Sequence, residues 1–168
     1  FYRHMAALAP SLAALRRGAP KLTLIADAPG WSSVDDLVKL MPVADGNVVY
    51  NFHFYEPFPF THQGATWAGP QVPDIDGLEY PMTPANRAVV LAKLTAPAAR
   101  DAVEHYDADK AGLAAAFELA AAWGRRHHVA VTCNEFGVYR RFAPGAARLR
   151  WLRDVRELCA ANGIGWCM

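Results

Sequence analysis

Val48-Val49-Tyr50-Asn51-Phe52-His53-Phe54-Tyr55 is the stretch on which the fold class turns. β-branched and aromatic side chains crowd it, which is the composition of a strand. Upstream, Leu22-Thr23-Leu24-Ile25 is a second, shorter strand signal without polar alternation, as in strands buried on both faces of a parallel sheet. Asp27-Ala28-Pro29-Gly30-Trp31 makes a loop between them. Ser33 with Asp36 then approximates a capping box for a short helix carrying Val34, Leu37, Val38 and Met41. Further out, Met5, Leu8, Leu12 and Leu15 recur at helical spacing, and Gly18-Ala19-Pro20 stops that helix.

Downstream the chain changes character. From Glu56 to about Tyr80, prolines 57, 59, 70 and 73 and glycines 64, 69 and 77 forbid a long helix or a central strand. A loop this long is functional or disordered, and Phe58, Phe60, Trp67 and Tyr80 argue against disorder. Thr83-Pro84 reads as the cap and first residue of a helix along Val90, Leu91 and Leu94. An Ala-rich helix over about 109–124 presents Leu113, Phe117 and Ala120 on one face. Val129–Cys133 is the third strand, and a helix over 146–162 with Leu149, Leu152, Val155 and Leu158 ends at Asn162-Gly163. Ile164–Met168 opens a fourth strand. Helices alternating with buried strands mean βαβ units and a parallel sheet. An open doubly wound sheet and a piece of a (β/α)8 TIM barrel both fit. No G-x-G-x-x-G or Walker pattern follows the first strand, which lowers the weight of nucleotide-binding versions. A full barrel takes about 250 residues, so four strands in 168 residues read as half of one, a single domain over residues 1–168.

With 53% hydrophobic residues and 17 Lys+Arg against 16 Asp+Glu, the chain is neither disordered nor charged enough to grip nucleic acid or an anionic membrane. Its apolar runs are too short for a bilayer. Cys133, Cys159 and Cys167 read as free thiols in apolar settings. The sequence opens on Phe1 and closes on an apolar Gly163–Met168, the look of a fragment whose compartment its own residues do not reveal.

In parallel α/β folds functional groups gather where strands end. Here those ends carry Asp27 near Trp31, then His53-Phe54-Tyr55-Glu56, then Cys133-Asn134-Glu135. Glu104, Glu118 and Glu157 fall in or beside helices and read as solvated; Glu79 reads as exposed, and Glu56 before Pro57 suits a turn as well as chemistry. Glu135 closes an apolar strand, where desolvating a carboxylate costs several kcal/mol without partners. An ion pair to Arg140 or Arg141 is the bland alternative, and function outweighs it. His53 and Tyr55, two residues apart, are expected on one strand face. A metal site from His53, His62 and Glu135 lacks any compact ligand spacing, and Cys133 beside Glu135 makes a poor nucleophile. No cofactor motif is present.

Asn51-Phe52-His53-Phe54-Tyr55-Glu56-Pro57-Phe58 and Thr132-Cys133-Asn134-Glu135-Phe136-Gly137-Val138 resemble the family-5 glycoside hydrolases, the cellulase family. The resemblance implies a (β/α)8 barrel, here strands five to eight, that hydrolyses β-linked glucans, most simply β-1,4-glucan, with retention. It implies Glu135 as nucleophile, with His53 and Tyr55 around it. Asn134, His62, Trp67 and Trp31 are the substrate-binding candidates, and a polysaccharide or oligosaccharide is the expected partner. It also implies a secreted or periplasmic protein. The family's acid/base motif, N-E-P, is missing here: the one Asn-Glu, Asn134-Glu135, is followed by Phe. Trp166 falls short of the family's strand-eight platform tryptophan and reads as packing.

Overall fold

The computed structural model describes residues 2–106 and 108–168. In chain order the elements are α1 (Tyr2–Gly18), β1 (Leu24–Asp27), α2 (Pro29–Ser32), α3 (Val34–Leu37) and β2 (Val48–Phe54). There follow α4 (Phe58–Thr61), α5 (Pro84–Leu91), α6 (Pro97–Glu104), α7 (Lys110–His127), β3 (Val131–Phe136), α8 (Gly145–Ala161) and β4 (Gly165–Trp166). Among the described residues the strands form one sheet in the order β1-β2-β3-β4, every pair parallel. The chain divides into two compact units.

The first unit (residues 1–54, 116–136 and 159–168) contains the whole sheet. The register places Asp27 beside Asn51 and Asn51 beside Thr132, so these three share one face. The opposite face is the core: Ala26, Tyr50, Phe52, Phe54 and Cys133 are buried there. Two rings from α7 meet it, Trp123 edge-on to Tyr50 at 5.2 Å and Phe117 edge-on to Phe52 at 5.7 Å and tilted against Phe54 at 4.7 Å. Each buried ring contributes about 1.5–3 kcal/mol through the area it removes from water. Trp123 and Tyr50 also keep their polar tips satisfied: Trp123 Nε1 donates to the Leu40 carbonyl (3.3 Å), and the Tyr50 hydroxyl accepts from the Val43 N–H (2.8 Å).

Between β2 and β3 the register slips by one residue: Phe52 pairs with Cys133, but His53 pairs with Glu135. Asn134 is therefore the extra residue of a β-bulge.

The second unit (residues 55–115 and 137–158) gives the Pro-rich loop its order. Gln63, fully buried, donates from Nε2 to the carbonyls of Phe60 and Leu78 and accepts from the Leu78 N–H, so one amide fastens residue 63 to residue 78. Trp151 Nε1 donates to the Glu56 carbonyl at 3.0 Å. The Tyr80 hydroxyl donates to Asp154 Oδ2 at 3.0 Å, and both residues are buried. Thr83 caps α5 by accepting from the Asn86 N–H, as its Thr-Pro signal predicts.

Several expectations shift. The first strand runs Leu24–Asp27 rather than Leu22–Ile25, and it is not buried on both faces: Ile25 is exposed while Leu24 and Ala26 are buried. An edge strand has one covered face here, and apolar content alone does not say which. Leu15, Met41 and Leu149 are exposed. On α8 the buried stripe is Ala147, Trp151, Val155 and Leu158, centred on the tryptophan rather than on the leucines. Helix α6 was not expected, since Ala99 and Val103 are its only buried positions.

Candidate active site

Asp27 is the last residue of β1, and His53 and Glu135 are the next-to-last residues of β2 and β3. His53 lies between the two carboxylates, its Nδ1 3.2 Å from Glu135 Oε2 and its Nε2 3.9 Å from Asp27 Oδ1. Asp27 Oδ1 accepts from the Ser32 hydroxyl (2.8 Å) and from Asn51 Nδ2 (2.5 Å). The Glu135 side chain is 54% exposed. The desolvation cost expected for it therefore does not arise in this chain, and its placement beside His53 is a matter of contact rather than burial.

Sequence reasoning missed Asn51 as a site residue. It is 2% exposed and spans two strand gaps: besides its bond to Asp27, its Oδ1 accepts from the Asn134 backbone N–H at 2.8 Å and from Thr132 Oγ1 at 3.5 Å. The available signal was an amide in the middle of an aromatic run, two positions before His53 and on the same face. Asn134 is the bulge residue, and its N–H makes this contact.

Trp31 stands 94% exposed just after β1. Gly30, Trp31 and Ser32 all have left-handed backbone (φ 62°, 54° and 56°). Two of the three are L-residues in a region that costs them energy, the sort of strain found near functional sites. The Ser32–Asp27 bond offsets part of it.

Tyr55, His62 and Trp67 belong to the second unit. Tyr55 is the residue immediately after the last residue of β2. Its ring meets His62 edge-on at 5.1 Å, and its carbonyl accepts from Thr61 Oγ1 at 2.5 Å. His62 stacks on Phe58 with ring centroids 4.1 Å apart, and its Nδ1 is 2.9 Å from Thr61 Oγ1. Burial holds the His62 imidazole below its ordinary pKa. Trp67 is exposed, edge-on to Tyr139 at 4.9 Å. Glu56 turns its carboxylate to the Phe58 N–H at 3.0 Å, opening α4 as a turn-former does. The Cys133 thiol is buried, and the neighbouring Cys159 thiol together with burial pushes its pKa upward, the opposite of what a nucleophile needs. Trp166 meets Phe136 edge-on at 5.9 Å. Among the described residues no helix is long and apolar enough to cross a membrane, and no cluster of His, Cys, Asp and Glu is arranged to hold a metal ion.

The sequence profile of the cellulases, glycosyl hydrolase family 5, matches residues 5–168. The chain belongs to that family. Endoglucanase 3 of Fibrobacter succinogenes is 30% identical over 160 residues, which is 91% of this chain and 24% of that protein. Among solved structures, the cellulose synthase subunit Z of Clostridioides difficile superposes with a TM-score of 0.74 at 22% identity, covering 97% of this chain and 46% of that one. Cel5A of Thermotoga maritima, solved with mannotriose and with cellobiose, gives 0.71 at 23% identity, covering 99% and 46%. The chain thus spans less than half of each. This family-5 chain has the fold of a partial (β/α)8 barrel, as its four parallel strands and these neighbours agree.

Proposed function

We propose that this chain is the C-terminal half of a retaining glycoside hydrolase domain acting on β-1,4-glucan, with Glu135 as the nucleophile. The observation that carries this reading is the contact between His53 Nδ1 and Glu135 Oε2 at the ends of adjacent strands. The imidazole fixes the direction of the carboxylate. Glu135 attacks the anomeric carbon and forms a glycosyl ester while the glycosidic C–O bond breaks, and the leaving oxygen takes a proton from a second carboxylic acid. Water, deprotonated by that second group, then displaces the ester and returns Glu135 as the free carboxylate.

Asp27 is poorly suited to be the second group, because its Oδ1 already accepts two hydrogen bonds from Ser32 and Asn51. The acid/base is assigned to a carboxyl outside this sequence, and residues 1–168 alone are expected to be inactive. Trp31 and Asn134 in the first unit, and Tyr55, His62 and Trp67 in the second, are assigned to polar and aromatic contacts with the sugar chain. For Trp31, an exposed indole held in a strained turn supports the assignment.

The test uses the full-length protein that contains this chain. Glu135→Gln keeps size and removes charge, so hydrolysis of carboxymethylcellulose should fall about a thousandfold or more with the thermal midpoint unchanged. Near-parent activity in that variant refutes the assignment. Loss of parent activity on adding a chelator would favour a metal-assisted hydrolase using His53 and Glu135 instead.

A further inference from the structure

The polar face of the sheet holds a buried side chain to which the proposed chemistry gives no part. Asn51 sits one strand in from Asp27 and one strand in from Asn134, bonded to both. A bulge leaves its extra residue without a ladder partner, and an N–H left unpaired costs more the further it is shielded from water; Asn134 is half-buried. The Asn51 carbonyl oxygen supplies the partner for the Asn134 N–H. The bulge also decides which way Glu135 points. In a regular strand the residue after Cys133, namely Asn134, would stand opposite His53, and Glu135 would turn to the apolar face with Phe52, Phe54 and Phe117.

We infer that Asn51 is a positioning residue for Glu135: its amide, oriented by Asp27, holds open the Asn134 bulge that turns Glu135 toward His53. The inference rests on the reading of Glu135 as the nucleophile. The two ends of the amide are not interchangeable. Asp27, a carboxylate, accepts from the Nδ2 end, which leaves Oδ1 for the Asn134 N–H. An alanine here satisfies neither group. An aspartate keeps the acceptor toward Asn134 but sets a second carboxylate against Asp27, and two carboxylates at that distance share a proton only when the pH is lowered.

The experiment compares Asn51→Asp, Asn51→Ala and Glu135→Gln with the parent, each in the full-length protein, measuring kcat and KM on a soluble cello-oligosaccharide at pH 7 and pH 5. Among the described residues, Asp27 on β1, His53 on β2 and Glu135 on β3 are the titratable groups on the face of position 51, and all are common to parent and variant, so the variant-to-parent ratio isolates the introduced carboxyl. At pH 7, Asn51→Asp should lower kcat about tenfold to a hundredfold while KM moves little, since a misaimed nucleophile costs rate more than binding. At pH 5 its kcat relative to the parent should recover at least about threefold, because a shared proton restores the bond to Asp27. Asn51→Ala has no proton to gain and should stay low at both values. Asn51→Asp with kcat within twofold of the parent at pH 7, or equally impaired at both pH values, overturns the inference. So does its failure to fold at both, which would make Asn51 a residue of the fold alone. Glu135→Gln with parent activity would instead sink the nucleophile reading.

Discussion

Replacing Gly64 with alanine loads two separable costs onto the loop that carries His62 and Trp67. Gly64 has φ +74°, a region that costs an L-residue about 1–2 kcal/mol. A Cβ built there would lie 2.1, 2.3 and 2.5 Å from three ring atoms of Phe142. Ordinary contact begins near 3.4 Å, so the ring would have to retreat by more than about 1 Å, an overpacking cost of roughly 1–3 kcal/mol. Together the two terms predict a loss of about 2–5 kcal/mol for Gly64→Ala. In a Phe142→Ala background the steric part vanishes and only the backbone part remains. Urea denaturation of the parent, both single variants and the double variant in the full-length protein gives the coupling energy directly. A favourable coupling of at least about 1 kcal/mol is expected. A single-variant loss under about 1 kcal/mol, or additivity within about 0.5 kcal/mol, would refute the clash that the geometry implies.

Phe117→Ala, which empties the site between Phe52 and Phe54, should cost about 3–5 kcal/mol in the same assay; a loss below about 1 kcal/mol would mean the rings do not bear on β2. Tyr80→Phe removes the hydroxyl that serves the buried Asp154 and should cost about 1–3 kcal/mol. Burial, then the bond to Asp154, raises the Tyr80 pKa, so its share of stability is full below about pH 10 and declines as pH rises beyond. Thermal midpoints from pH 8 to 11.5 should therefore fall less steeply in Tyr80→Phe than in the parent. Desolvation lowers the His62 pKa, so its contribution is full above about pH 6.5 and is lost as pH falls through the folded value. A ring-proton NMR titration of His62 with a midpoint at or above 6.5 would contradict that burial.

The parallel sheet was legible because βαβ alternation leaves a pattern of apolar runs separated by helical stripes. The family was legible because its residues sit at strand ends as short consecutive motifs. The Asn134 bulge had a trace as well: Asn134-Glu135 places two polar residues side by side between Cys133 and Phe136, breaking the period of two. That trace does not say which neighbour stabilises the bulge, and Asn51 lies 83 residues away in sequence. Tyr55 is the first residue beyond the end of β2, so the alternation that places Asn51 and His53 on one face stops just short of it. The left-handed turn at Trp31 was invisible for another reason. Only Gly30 advertises such backbone, and what holds Trp31 and Ser32 there includes a hydroxyl reaching back to Asp27.

The Gln63 amide makes the segment it closes a replaceable cassette. Its two anchor points, residues 63 and 78, are joined by two hydrogen bonds that do not involve the exposed tip at Thr66, Trp67, Gly69 and Pro70. Lengthening such a tip adds closure entropy only logarithmically, about 0.6 kcal/mol per doubling. New sequence grafted at the tip would therefore leave Gln63, Val72, Ile75 and Leu78 as the fixed frame.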